Sequence, residues 1–459
     1  MNTTIRPILL GALLFYGAIP LPIQAYEGEK PEKMNDGTQI IYSPTAPKWV
    51  PPQLDTFLPN WVDLEASWIS QPIFNATGGS QQTAAYADQW GFNLTLSRGI
   101  NKKESEKREF DHWSLHGNFS LQLGNPAYST DISSIFAPQS IYSPQGFWLR
   151  GFYIERESDA MNLKFGPSMT MNDLVDSPAY AYYTNAIING VLNLQVPGLA
   201  FDPYNSWGAS IDLKLTKQLS LKYGLFQLSS LRGQNTDSAN DYLGWNLSTS
   251  KADGLVQAIK IDYAYRPQGD ALKVCLDKIK SGIYLRSNAN CKQPGAIENN
   301  LPKPIIQLGG YTAGWQFPYL DGSGQMGSRI NGIFIHGTTV PFRFPLGHGT
   351  SLWASAVLSS NEEINQVPFS IMGGFISQGV LPARPFDQLV FGLARSSLSA
   401  HSNYNGTSQV YSAMAELDYA IKLNDRFSIE PGLQFIFNPS GNSNYATIVA
   451  PTLQLTFSF

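Results

Sequence analysis

The last seven residues of the chain, Leu453-Gln454-Leu455-Thr456-Phe457-Ser458-Phe459, alternate apolar and polar side chains at every step. In a strand, successive side chains point to opposite faces, so Leu453, Leu455, Phe457 and Phe459 share one face while Gln454, Thr456 and Ser458 share the other. Alone, the segment fits a half-buried strand of a soluble sandwich as well as a lipid-facing strand around water. The pattern recurs, however, along most of the chain. In 90–96 the apolar set is Trp90, Phe92, Leu94 and Leu96; in 113–123 it is Trp113, Leu115, Phe119, Leu121 and Leu123 against Ser114, His116, Asn118, Ser120 and Gln122. Segments 211–215, 219–225, 411–421 and 427–437 repeat it, with Asp212, Lys214, Lys222, Glu416, Asp418 and Glu430 on the polar parity.

Sixteen such strands are expected, near 62–71, 84–98, 109–124, 146–157, 161–169, 206–216, 219–229, 254–266, 304–317, 331–343, 351–361, 368–379, 387–399, 409–422, 425–437 and 447–459. An even number suits a single-chain transmembrane antiparallel β-barrel, an all-β fold whose periplasmic turns are short and whose external loops are long. The connections at 158–160, 217–218, 344–350 and 423–424 are short and fall where periplasmic turns belong. Those at 125–145, 170–205 and 230–253 are long and fall on the external side. Two connections, 99–108 and 267–303, are long on the short-turn side, so they are either insertions or the sign of a missed strand. An unpaired edge cannot persist in hydrocarbon, so the last strand is expected to pair with the first, near Val62.

Export is read from the N-terminus. Arg6, an apolar run over 8–19, Pro20, Pro22 and a closing Ala25 spell a cleavable signal over residues 1–25. The run is short for a membrane helix, and no later apolar run is long enough to be one. Residues 26–61 are polar and proline-rich and are expected to be an extended segment, leaving 62–459 for the barrel. Charged residues are 14% of the chain and aromatics 12%, against about 25% charged in soluble proteins. The net charge of -4 gives no hint of a nucleic-acid surface. Cys275 and Cys291 have no histidine between them and, in an exported chain, are expected to form a disulfide rather than a metal site.

Four places resemble the carbohydrate-selective porins of the OprB type. They are Leu163-Lys164-Phe165-Gly166 followed by a long loop with Tyr183 and Asn185; Trp207-Gly208 opening a strand; Leu381-Pro382-Ala383-Arg384-Pro385-Phe386-Asp387 with Gly392 beyond it; and Glu416-Leu417 with Tyr419, then Pro431, Leu433-Gln434, Asn438-Pro439 and Gly441. The cysteine-bearing 267–303 insertion is not part of that pattern. The resemblance implies passive diffusion of small sugars or similar neutral solutes through an outer-membrane barrel, without a cofactor. The terminal aromatic strand also resembles the signal by which bacterial outer-membrane barrels are recognised, which implies contact between Phe459 and the barrel-assembly machinery and an outer-membrane lipid surround. Monomer and trimer both remain open.

A barrel of this size holds a water channel, and selectivity comes from its narrowest ring, usually an inserted external loop facing the wall. A neutral sugar wants donors and acceptors interleaved with aromatic rings. The 170–205 loop offers Asn172, Asp173, Asp176, Tyr180, Tyr182, Tyr183 and Asn185 and is the constriction candidate, expected to fold inward. On the walls, lumen parity selects His116, Asn118, Lys164, Lys222, Lys260, Asp262, Glu416 and Asp418. Arg150, Phe152 and Arg156 share one parity, and the arginines are assigned inward because a cation on the lipid face costs about 2–4 kcal/mol at the midplane. For each of these, a solvated charge or a pair bracing the wall is the plainer alternative to sugar contact. Arg384 with Asp387 reads as a turn-stabilising pair.

Catalysis is poorly supported. The chain lacks a Gly-x-Ser-x-Gly elbow, a His-Glu-x-x-His helix, a Cys-x-x-Cys pair and a P-loop. His112 and His116 share a strand face but sit about 13 Å apart by strand rise, too far to chelate one ion. A general or ion-selective porin, a barrel hydrolase using His116 or His336, and an exported soluble sandwich are the competing readings.

Overall fold

The computed structural model describes residues 58–59, 61–97, 111–125, 138–141, 143–168, 174–190, 196, 199, 203–228, 242–245, 247, 254–264, 301–339, 341–342, 349–381, 383–401, 403–404, 407–408, 410–424, 426–442 and 444–458. The signal over 1–25, most of the proline-rich segment, Asp173, Cys275, Cys291 and Phe459 lie outside them.

The alternating segments form strands β1 (Val62–Phe74), β2 (Ala84–Ser97), β3 (Asp111–Asn125), β4 (Gly146–Ser158), β5 (Met161–Ser168), β6 (Ser206–Lys214), β7 (Leu219–Leu228) and β8 (Gly254–Tyr263). They continue as β9 (Ile305–Pro318), β10 (Met326–Thr338), β11 (Gly349–Ser359), β12 (Phe369–Gln378) and β13 (Gln388–Ser397). A two-stranded ribbon, β14 (Asn403–Tyr404) and β15 (Thr407–Ser408), precedes β16 (Tyr411–Lys422), β17 (Phe427–Phe437) and β18 (Ile448–Ser458). All but the ribbon join in one closed antiparallel barrel of sixteen strands in chain order.

Closure is made by β18 on β1, with Trp68 opposite Phe457 and Ile69 opposite Thr456. The closed order leaves no place for a missed strand between β2 and β3 or between β8 and β9. By parity both connections leave from the short-turn end, although most of their residues lie outside the described set. The largest departure from expectation is β10, which begins five residues earlier than 331 and stops at Thr338. The cause is visible in the sequence. Its polar start, Met326-Gly327-Ser328-Arg329, pairs through a register shift between Gly327 and Arg329 that breaks the alternation, and Pro341 has no N–H for the ladder.

The outer face is an apolar belt. Phe165 (57% exposed), Leu308 (54%) and Ile333 (60%) stand on it, an arrangement that only a hydrocarbon surround tolerates over a whole circumference. Among the described residues no helix is long and apolar enough to cross a membrane.

The inner face is less uniformly polar than a plain water pipe. Residues 174–190, from the connection between β5 and β6, run inside the barrel and bury two apolar clusters against its wall. Tyr180, Tyr183, Ile187 and Ile188 pack on Trp353, Met372, Val390, Met414 and Ile436. Leu174 and Val175 pack on Phe226, Val256, Tyr311 and Phe334. Where the loop docks, the wall therefore carries apolar groups on both faces. On strand β12 this appears as Met372 and Ile376 inside, with Ile371 48% exposed on the outside.

Between β4 and β5 the ladder holds only Ile154–Phe165 to Glu157–Asn162. Above it, Asn205 Nδ2 donates to the carbonyls of Leu149 (2.5 Å) and Gly244 (3.0 Å), and Trp245 Nε1 donates to the Phe147 carbonyl at 3.0 Å. The Trp245 ring stacks on Phe119 and lies against Phe147. Side chains and a loop thus satisfy carbonyls that have no strand partner there.

Candidate functional site

The inner loop is held by two walls of opposite chemistry. On the β16–β17 side, Glu416 Oε1 accepts the backbone N–H of Thr184 (2.9 Å), the Thr184 hydroxyl (2.5 Å) and the backbone N–H of Asn185 (3.0 Å). One strand further on, Asn185 Nδ2 donates to Gln434 Oε1 at 2.8 Å, and Gln434 Nε2 reaches the carbonyl of Pro138 at 3.0 Å. Glu416 and Gln434 are register partners across β16 and β17, so one row of the ladder reads the loop's turn. Asn185 also accepts the N–H of Ile187 at 2.8 Å, closing that turn on itself.

Tyr183, beside this clamp, enters the wall itself. Its hydroxyl donates to the Phe391 carbonyl at 3.0 Å and accepts Trp353 Nε1 at 2.7 Å. Two facing glycines make the room: a Cβ at Gly374 would lie 2.6 Å from the Tyr183 hydroxyl, and one at Gly392 2.6 Å from its ring. Burial pushes the Tyr182 hydroxyl up to about 12 and raises that of Tyr183 as well, so both are neutral donors across the physiological range. Neighbouring Ser177 Oγ lies 2.6 Å from His336 Nε2, with Thr338 Oγ1 2.7 Å from the same nitrogen. Ser177 and His336 are 1% and 2% exposed. That pair is sealed from solvent and pins the loop.

The opposite wall, β6 to β9, presents a ladder of alternating charge. Lys222 Nζ stands 3.5 Å from both Asp212 Oδ2 and Asp262 Oδ2, and Lys260 Nζ 3.5 Å from Asp262 Oδ2. Lys260 Nζ and Gln307 Nε2 donate to the Asp176 carbonyl at 3.2 and 3.3 Å, so the ladder also ties down the loop's first turn. The Asp176 carboxylate accepts the N–H of Ser177 at 2.7 Å. Between loop and ladder remains a recess of about 460 Å³, with Asn162, Lys164, Ser210, Lys303 and Gln307 on its lining.

The sequence candidates separate accordingly. Lys164, Lys222, Lys260, Asp262 and Asp176 come together at the recess. Glu416, Tyr183 and Asn185 meet at the clamp. Asp418, one inward position along from Glu416, is buried beside Gly432. His116 braces the wall: its Nε2 lies 2.9 Å from Glu155 Oε2, its Nδ1 3.1 Å from Thr95 Oγ1, and its ring stacks on Tyr153 at 4.8 Å. Asn118 stands on the same inward parity, opposite Gly151.

Arg150, Phe152 and Arg156 need correction. A bulge opposite Asn118 and Phe119 makes Arg150 the extra residue of β4 and flips the parity beyond it. Phe152 is 44% exposed on the outer face with Ile154. Arg156, paired with Trp113, lies with its guanidinium 5.8 Å from that ring's centre, also outside. The charge is tolerable there because Arg156 is two residues from the strand's end, at interface depth, where the penalty falls to about 0–1 kcal/mol.

Gln434, Glu430, Gln454 and Gln71 were not among the candidates. They form an inner polar chain, with Gln454 Nε2 on Glu430 Oε2 at 3.1 Å and Gln71 Nε2 on Gln454 Oε1 at 2.5 Å. Their polar parity was the available signal. At the short-turn rim, Arg384 Nε and Nη2 donate to Asp387 at 2.8 and 2.9 Å, and Nη2 also reaches the Lys422 carbonyl at 2.9 Å. It is a turn brace, as its sequence position suggests, and the Asp387 hydrogen bond raises the pKa of the guanidinium.

Residues 345–459 match the model of the family described as "Carbohydrate-selective porin, OprB family". No curated protein matches the chain. Among solved structures, OprB of Pseudomonas putida at high pH is similar over 87% of this chain and 94% of its own, at 18% identity and a TM-score of 0.67. OmpF of Salmonella typhi, in complex with daunomycin, is similar over 87% of this chain and 97% of its own, at 10% identity and a TM-score of 0.50. At these identities the structures speak for the fold, and the family match is confined to residues 345–459. With a closed sixteen-strand barrel and a loop docked in its lumen, the chain has the fold of these outer-membrane porin structures, and over residues 345–459 it is similar to the carbohydrate-selective porin, OprB family.

Proposed function

We propose that the barrel passes small neutral sugars by passive diffusion between the docked loop and the β6–β9 wall. The observation that carries this reading is the Asp212–Lys222–Asp262–Lys260 ladder. Opposite charges 3.5 Å apart along and across β6, β7 and β8 offer strong donors and acceptors side by side with little net charge. Such a surface replaces water around hydroxyl groups without drawing in a simple ion. Direct sugar contact is assigned to Lys164, Lys222 and Asp262, while Tyr183, Asn185 and Glu416 hold the loop. Liposome swelling with a graded series of sugars and amino acids tests it. Faster swelling with sugars than with amino acids of equal size is expected, and equal rates would leave a general pore.

The same reading takes residues 1–25 as a cleaved export signal and Cys275–Cys291 as a disulfide. It takes Phe459 as the contact for barrel assembly and the protein as a channel without enzymatic activity. Mass spectrometry of the mature, non-reduced protein tests the first two, and crosslinking in native membranes separates monomer from trimer.

A further inference from the structure

The ladder is balanced, but the recess is not. Its lining holds Lys164, Lys222, Lys260 and Lys303 against Asp176, Asp212 and Asp262. Lys222 and Lys260 are satisfied by the two ladder aspartates. Lys164 lies over the Tyr153 ring at 5.6 Å and beside Glu155, a carboxylate already engaged by His116 and Asn162. Lys303, two residues before β9, is exposed and makes no ion pair among the described residues. The acids that balance the lumen on paper, Glu416 and Asp418, are 0% and 1% exposed. At the recess a solute therefore meets one more cation than acid.

We propose that this recess binds a polyhydroxylated monoanion, a sugar carboxylate in class, with Lys303 meeting the charge and Asn162, Ser210, Gln307 and the ladder meeting the hydroxyls. A plain anion would use Lys303 and leave the amides and hydroxyl idle. A neutral sugar would use those groups and leave the ammonium with water. A sugar carboxylate uses both. A volume of about 460 Å³ holds a single six-carbon ring or chain with its water. The inference rests on the sugar-porin reading but extends it to a charged class.

The test is block of single-channel KCl current in planar bilayers by glucose, gluconate and acetate, on the wild-type porin and on Lys303→Gln. Gluconate is expected to half-block at about fivefold lower concentration than glucose, the size of one partly solvated lysine–carboxylate contact, and acetate is expected to block least. In Lys303→Gln the gluconate advantage disappears while glucose block is unchanged. Gluconate no tighter than glucose in the wild type, or an advantage that survives Lys303→Gln, overturns the proposal. Acetate equal to gluconate overturns its hydroxyl half and leaves a simple anion site. The sugar-porin reading fails on a separate result, namely no sugar-dependent swelling, so the two failures are distinguishable.

Discussion

Glu416 and Thr184, 232 residues apart, are joined by two hydrogen bonds to a single carboxylate oxygen, one from the backbone and one from the hydroxyl of Thr184. A third, from Asn185 N, falls on the same oxygen. The carboxylate is fully buried, so Glu416→Ala leaves three donors without an acceptor in a dry site. Donors orphaned in this way cost about 1–3 kcal/mol each when unsolvated, which exceeds what a loop of this kind retains once water can enter. The loop is expected to leave the wall while the barrel stays closed. Single-channel conductance and the size limit in swelling assays should both rise, with heat-modifiable gel migration kept. Unchanged conductance would mean that the tyrosine contacts alone hold the loop.

Those contacts depend on the absence of side chains at two positions. A methyl group at Gly392 would meet the Tyr183 ring at 2.6 Å and Ile188 Cδ1 at 2.7 Å, below any normal carbon contact. Gly392→Ala is thus expected to displace Tyr183 and break its bond to Trp353 Nε1, at a cost of about 1–3 kcal/mol to loop docking. Trp353 emission should shift toward that of a more hydrated indole, and conductance should rise as in Glu416→Ala. A matched substitution at Gly337, whose Cβ position has nothing within 4 Å, should do neither.

The barrel was legible because lipid imposes alternation on every strand, and each of sixteen expected segments has its counterpart. The site was legible only where alternation holds. Lys222 and Asp262 lie on regular strands, and parity brings them together. Phe152 and Arg156 lie beyond a one-residue bulge, and a bulge inverts parity without a signature in composition. The docked loop reverses the usual code in another way. Met372, Val390 and Ile436 face inward because Tyr183 and Ile188 cover them, and no single strand's pattern announces a cover supplied from 200 residues away.

Arg384 and Asp387 make a different kind of prediction, since neither touches the channel's recess. Asp387 is 1% exposed and accepts both the guanidinium and, at 3.0 Å, the N–H of Lys422. Removing Arg384 leaves a buried carboxylate without its cationic partner. Arg384→Ala should destabilise the barrel by about 3 kcal/mol, and the double variant Arg384→Ala with Asp387→Asn by less, because the uncompensated charge is gone. Urea unfolding in detergent, read as a double-mutant cycle, checks the order. A double variant as unstable as the sum of the singles would show that the pair does not act as a pair.

Alkaline pH should loosen the loop before it affects the barrel. In the docked loop Tyr182 has its pKa pushed up from 10.0 to about 12 by burial, and that of Tyr183 is raised too. A released loop exposes both phenols, which then ionise near pH 10. A group whose pKa is higher in the docked state favours docking fully below the released value and loses that contribution as pH rises through the docked value. Docking is therefore constant up to about pH 10 and weakens progressively towards 12. Conductance recorded across that window should climb and return on neutralisation, with tyrosinate absorbance rising in step. Tyr183→Phe keeps the ring's packing, loses the Phe391 and Trp353 hydrogen bonds, and removes one of the two titrating groups. Its climb should start from a higher baseline and be shallower, whereas a steeper climb would place the alkaline trigger outside the loop.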